Sequence, residues 1–375
     1  MKPSTELFQL IKSLSKSEKR YFKLTSSLQS GEKNYMKLFD AIEAQHEYDE
    51  EMIKEKFKGE TFIKHLPSEK NHLYSLILKS LRGFYADKSA AAILQEQLRN
   101  IELLFDKALY KECSKLIRKA KKMAYDFEKY YFLLDIIDWE KTMIEEEYLR
   151  GNFDKDLNML LKEETECIEK LRNLAEYQML YSKINYVFRK GGYTRNDEEQ
   201  KIVSEIANYH LIKGKNTALS TKAATACYYI KGLCASTERN LDESYINFKK
   251  VTKIMEENPL IMKELPKRYV KALNNLIFAY MDYERWDECY ATIEKMQGLT
   301  KKKGFESIDV QLKIFTSSRN AELLACIKNA DYSTATKKVV PAILRELEEY
   351  DGKVNSEEVM LFYYNISSAY FGVGD

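Results

Sequence analysis

The sequence predicts an all-α protein, a stack of about six helix hairpins preceded by a small helical module. Three observations carry that expectation. Residues 275–285 (NLIFAYMDYER) are echoed ninety residues later by residues 365–375 (NISSAYFGVGD). Val270, Leu273, Leu276, Ile277, Tyr280 and Met281 recur three and four apart, the spacing of one helical face. After the polar stretch 282–287, Cys289, Ile293 and Met296 renew that spacing, which makes a hairpin. A hairpin of this kind buries its apolar face only against a neighbour, so units of this type come in series.

The amino-terminal residues lack the echo and read as shorter helices. These are expected at Thr5–Leu14, Lys16–Leu28, Tyr35–Gln45, Asp49–Phe57 and Pro67–Tyr85, with Pro67 suited to a first helical turn. The expected division is a module over 1–88 and hairpins over 89–375, with the boundary at Asp87–Ala92. Beyond it, an aromatic or leucine stands three residues before an inward position at Tyr110/Cys113, Phe153/Asp156, Tyr193/Asn196, Leu241/Ser244, Trp286/Cys289 and Tyr332/Ala335. Successive second members lie 43, 40, 48, 45 and 46 residues apart. Small residues at four of the six suit a close helix crossing, where a large side chain overpacks. Pro259 and Pro266 bracket a link between helices, and Pro341, inside a second helix, predicts a kink or break there.

Leu98–Ala124 (with Ala108, Leu109, Tyr110, Cys113, Ile117 and Ala120), Arg150–Phe153 and Arg285–Cys289 resemble the glycine-aromatic-x-x-small junction of the tetratricopeptide (TPR) family. The similarity spans residues 93–375. It implies a right-handed superhelical solenoid whose first helices line a concave, peptide-binding groove. The period of about 40–48 is nearer that of HEAT or armadillo repeats than the usual 34 or so, and the surplus goes to longer helices or loops. Because residues 365–375 stop where 275–285 run on into Trp286, the natural protein is expected to continue beyond Asp375, or to cover the open hairpin with a partner or a second copy in a homo-oligomer.

Composition narrows the function classes. Sixty basic and fifty-eight acidic residues nearly cancel, so no overall field draws the chain to nucleic acid or an anionic membrane. Five prolines and thirteen glycines in 375 residues, with 45% apolar residues, describe a helical protein with ample core. The six cysteines form no C-x-x-C pair and read as reduced, buried thiols. Cys227 and Cys234 lie about 10 Å apart along one helix and cannot pair within it. The amino terminus has no uncharged run fit for a signal peptide, nowhere do eighteen apolar residues run together, and a cytoplasmic location is expected.

No catalytic, metal or cofactor signature stands out, and a non-enzymatic protein is expected. His46, His65 and His72 miss the i,i+3 or i,i+4 spacing of helical metal pairs, and His210 has no ligand-like neighbour. Lys213–Thr217 lacks the phosphate-loop pattern, with Tyr209 where its first glycine belongs and Asn216 after the lysine. Two binding surfaces remain. Lys16, Lys19, Arg20 and Lys23 make a basic stripe that would suit phosphates, and with residues 49–85 read as helix-turn-helix it suggests a peptide-sensing transcriptional regulator. Against that, the would-be recognition helix is apolar on nearly every side, at Leu73, Tyr74, Leu76, Ile77, Leu78, Leu81 and Phe84. The favoured surface is the groove, where Asn274 or Asn275, Asn320 and Asn365 recur near one helical position and Lys271 lies one turn earlier. Such amides either bind a peptide backbone or cross-link neighbouring helices. The expectation is a protein or peptide scaffold without cofactor.

Overall fold

The computed structural model describes residues 5–27, 34–146, 153–189, 191–350 and 352–374, with the side chain of Asp154 excepted. They are helical, with no strand among the described residues. The chain forms two compact units, Met1–Ala120 and Lys121–Asp375, divided within one helix. The boundary expected at 87–92 falls instead at a turn inside the first unit.

The first unit holds α1 (Glu6–Ser13), α2 (Lys16–Ser27), α3 (Asn34–Ala44), α4 (Glu50–Lys56), α5 (Leu66–Phe84), α6 (Ala90–Asp106) and the start of α7 (Tyr110–Asp126). Asp49 caps α4 by accepting from the N–H groups of Glu51 and Met52, and Ser89 caps α6 by accepting from Ala92. Pro67 sits in the first turn of α5, as expected. Leu66, Leu73 and Ile77 bury α5 in a core shared with Leu7, Ile11 and Phe39 of α1 and α3. A would-be recognition helix is thus the centre of its module.

The second unit continues with α8 (Tyr130–Glu146), α9 (Phe153–Arg189), α10 (Asp197–Asn208), α11 (His210–Lys213), α12 (Thr221–Thr237), α13 (Leu241–Glu257), α14 (Pro259–Glu264), α15 (Pro266–Asp282), α16 (Trp286–Gly298), α17 (Ile308–Lys328), α18 (Tyr332–Thr334), α19 (Val340–Glu349) and α20 (Ser356–Val373). Helix α9 packs on α8 and α12, α12 on α13, α13 on α15, α15 on α16 and α17, and α17 on α20. One core runs from Tyr177 of α9 to Ala325 of α17, and a second joins α17 to Phe362, Ile366 and Ala369 of α20.

One turn recurs. Ala108, Glu128, Arg239, Glu284 and Ala330 each adopt φ between 48° and 59°. The N–H of the next residue donates 2.8–2.9 Å to the carbonyl five positions back, as Leu109 to Leu104 and Arg285 to Tyr280. This is the Schellman closure of a helix end. The following helices start at Tyr110, Tyr130, Leu241, Trp286 and Tyr332, four of which are expected junction residues. Three residues on, Cys113, Ser244, Cys289 and Ala335 are buried at the crossings. The turn at Glu128, with Tyr130 and buried Leu133, is a junction the sequence reading missed.

Two expected junctions differ. Asn196 does not point inward but caps α10, accepting from the N–H of Glu199 at 2.9 Å. Residues 150–152 lie outside the described residues, and Asp156 is only half-buried. It lies in the first turn of α9, which runs 37 residues without a break, about 55 Å at 1.5 Å per residue. Two helices expected from separate hairpins are therefore one. The physical reason is that residues 153–189 contain no proline or glycine and are rich in strong helix formers. Just before Pro341, where a kink or break is expected, the α-helix gives way to a π turn over Ala335–Val339, and α19 restarts with the proline in its first turn, where a missing N–H costs little.

Candidate functional site

Helices α12, α15, α17 and α20 are in register at offsets of 46, 45 and 45 residues. Three rows follow on their matching faces: Lys222, Arg268, Lys313 and Glu358; Thr225, Lys271, Thr316 and Leu361; Tyr229, Asn275, Asn320 and Asn365. Within each helix the three positions are i, i+3 and i+7, so they share one stripe. The rows are tied by side-chain bonds. Arg268 Nη1 donates to the Lys222 carbonyl (3.3 Å) and Thr225 Oγ1 (3.1 Å). Asn275 Nδ2 donates to the Tyr229 hydroxyl (3.2 Å), and Asn365 Nδ2 to Asn320 Oδ1 (2.6 Å). Lys313 Nζ and Thr316 Oγ1 both donate to Glu358 Oε1, at 3.2 and 3.1 Å.

Four of the five expected groove residues, Lys271, Asn275, Asn320 and Asn365, therefore bond to neighbouring helices. The Lys271 ammonium reaches the Tyr181 hydroxyl of α9 at 3.2 Å. Asn274 stands apart. It lines a cavity of about 270 Å³ between α15, α17 and α20, with Phe278, Lys313, Ser317, Asn320 and Phe362 on its walls. Amide and hydroxyl groups there face aromatic carbon, the mixture that holds a polar backbone while burying side chains. On another face of α20, away from the cavity, Met360, Tyr364 and Phe371 turn outward at 70, 71 and 86% exposure.

Charge is distributed unevenly along the stripe. Glu358 neutralises Lys313 at the α17–α20 step. Lys222, Arg268 and Lys271 form no ion pair with any carboxylate among the described residues. Burial pushes the Arg268 guanidinium below its ordinary range. Burial, with repulsion from Lys129, pulls the Lys222 ammonium down to about 8. Lys222 Nζ donates to the carbonyls of Phe127 (2.6 Å) and Glu128 (3.0 Å), while the Glu128 carboxylate accepts from the N–H groups of Thr221 and Lys222 at the start of α12. That exchange pins the α7–α8 turn to α12 across more than ninety residues. Sequence reasoning passed over Arg268, because nothing in its local pattern tells that no acid faces it.

The basic stripe on α2 is weaker than its sequence implies. Lys19 pairs with Glu43, and Lys23 with Asp40 and Glu43 of α3. Lys16 and Arg20 stay exposed. Two paired cations out of four halve the charge offered to phosphates. Tyr35 meets the His72 ring edge-on at 5.9 Å, and among the described residues no three His, Cys, Asp or Glu side chains gather to hold a metal ion. All six cysteines are free and buried, and burial pushes each thiol up, Cys234 to about 12. They are held in the protonated, poorly nucleophilic form. Among the described residues no helix is long and apolar enough to cross a membrane. No protein-family model matches the chain, and no curated protein or solved structure matches it either.

Proposed function

We propose that the chain is a non-enzymatic scaffold, a TPR-like right-handed solenoid that binds an extended segment of another protein along the stripe of α12, α15, α17 and α20. The observation that carries this reading is the cavity at α15, α17 and α20, where Asn274 and Asn320 stand beside Phe278 and Phe362. The constant offset of 45 or 46 residues between bonded partners supports stacked, equivalent units. Cross-linked amides and the Lys313–Glu358 ion pair would hold the surface in place before a ligand arrives, which lowers the ordering cost of association.

Selection of peptides from a random display library against the full chain tests this. Selected peptides should lose at least tenfold in affinity to Asn274→Ala and to Phe278→Ser variants whose melting temperatures are unchanged. Peptides indifferent to both variants, or no selected peptide at all, would reject the site. Sedimentation velocity reports separately whether a second copy occupies the α20 face.

A further inference from the structure

We propose that Arg268 and Lys271 form a subsite for a phosphate monoester, carried by a peptide lying across α12 and α15. The inference rests on the scaffold reading above and names the chemistry that one part of that surface takes.

Arg268 is the starting point. Two of its contacts are neutral oxygens, both reached through Nη1, and its Nε and Nη2 hydrogens have no acceptor among the described residues. Those two nitrogens keep contact with solvent and stand open to an anion, since neither is a buried atom lacking a partner. The vacant edge of the guanidinium is the planar fork that grips two oxygens of a phosphate at once. Lys271, one turn along α15, keeps two ammonium hydrogens beyond the one given to Tyr181. Both side chains are partly exposed, so a ligand can reach them.

The molecule contains its own comparison. One stripe position further along, Lys313 and Thr316 share the carboxylate of Glu358, one negative charge for one cation. Arg268 and Lys271 occupy the equivalent positions on α15, and the residue in the place of Glu358 is Lys313, a cation. Two cations with no acid between them ask for two negative charges. A phosphate monoester carries roughly −1.5 to −2 at neutral pH, a carboxylate only one. Asn275 and Thr225 flank the pair with neutral polar groups.

The test follows thermal unfolding of the full chain in inorganic phosphate against sodium chloride at matched ionic strength. The blocked amino acids N-acetyl-phosphoserine methylamide and N-acetyl-aspartate methylamide serve as further probes. Phosphate and the phosphoserine compound should raise the midpoint saturably, the aspartate compound at tenfold or higher concentration. The effect should vanish in Arg268→Met and Lys271→Met and persist in Lys253→Met, a solvent-facing change on α13. If Arg268→Met fails to fold, Arg268→Lys, which keeps the charge but not the fork, should raise the half-saturating concentration at least fivefold. No saturable rise, or one that survives the Arg268 and Lys271 changes, overturns the subsite. A stronger response to aspartate overturns the phosphate assignment, and an oligonucleotide that outcompetes the phosphoserine compound overturns the peptide source. The scaffold reading fails separately, through the Asn274 and Phe278 variants, and a phosphate response that outlives that failure leaves the subsite standing.

Discussion

Asn365 gives its side-chain amide to Asn320 Oδ1, 2.6 Å away and forty-five residues earlier, and only 4% of Asn365 reaches solvent. Two amides that read equally well as peptide contacts are therefore partners of each other. Asn320→Leu alone should cost about 1–3 kcal/mol, because it strands a buried amide. The double change Asn320→Leu with Asn365→Leu should recover most of that loss, since neither polar group then remains. Urea unfolding of the four proteins in the cycle measures it, and a neutral single change would show that the bond contributes nothing.

Lys222 makes stability depend on pH in a definite direction. Its folded pKa is pulled down to about 8 from 10.5. Between those values the unfolded chain holds more protons than the folded one, so stability rises with pH. Below pH 8 both states are charged and the penalty is present in full. Relative to Lys222→Met, the native protein should gain about 1–2 kcal/mol between pH 7.5 and 9.5. Parallel stability profiles for the two proteins would contradict the shift.

Ala330 holds φ 53° in an exposed turn. A left-handed residue with a side chain costs roughly 1–2 kcal/mol, partly offset by the extra entropy glycine carries when unfolded. Ala330→Gly should therefore stabilise by up to about 1 kcal/mol, read as a higher urea midpoint with the slope unchanged. A lower midpoint would mean that the turn is held by its neighbours without strain.

Gly232 shows the opposite case. A Cβ there would lie 2.8–3.0 Å from three atoms of the Phe248 ring, where α12 crosses α13. Alanine gains about 1 kcal/mol of helix propensity but overpacks the crossing by about 1–3 kcal/mol. Gly232→Ala should lower the melting temperature, and adding Phe248→Leu should restore part of the loss.

Helical periodicity was legible throughout, because apolar spacing and proline positions act locally. The starts of α7, α13, α16 and α18 fell on Tyr110, Leu241, Trp286 and Tyr332, where an aromatic or leucine precedes a small buried residue. The turn at Glu128 was not legible, since glutamate gives no sign of a left-handed conformation. Nor was the length of α9, where continuity depends on residues that fail to interrupt a helix. For the site, Lys271 and the asparagines stood out as a recurring pattern, but what each one touches depended on offsets of 45 and 46 residues between helices. The stripe at Lys19 and Lys23 misled for the same reason, as Asp40 and Glu43 face it from a different helix.

Helix α9 has a mechanical consequence. In its first half Glu163 and Cys167 engage Lys121 and the Tyr130 carbonyl, and within the next three turns Asn173 and Tyr177 bond to Thr217, in the loop leading into α12, and to Leu211 of α11. No joint lies between those two sets of contacts. The end of α7, the start of α8 and the approach to α12 are thus all anchored on one unbroken helix.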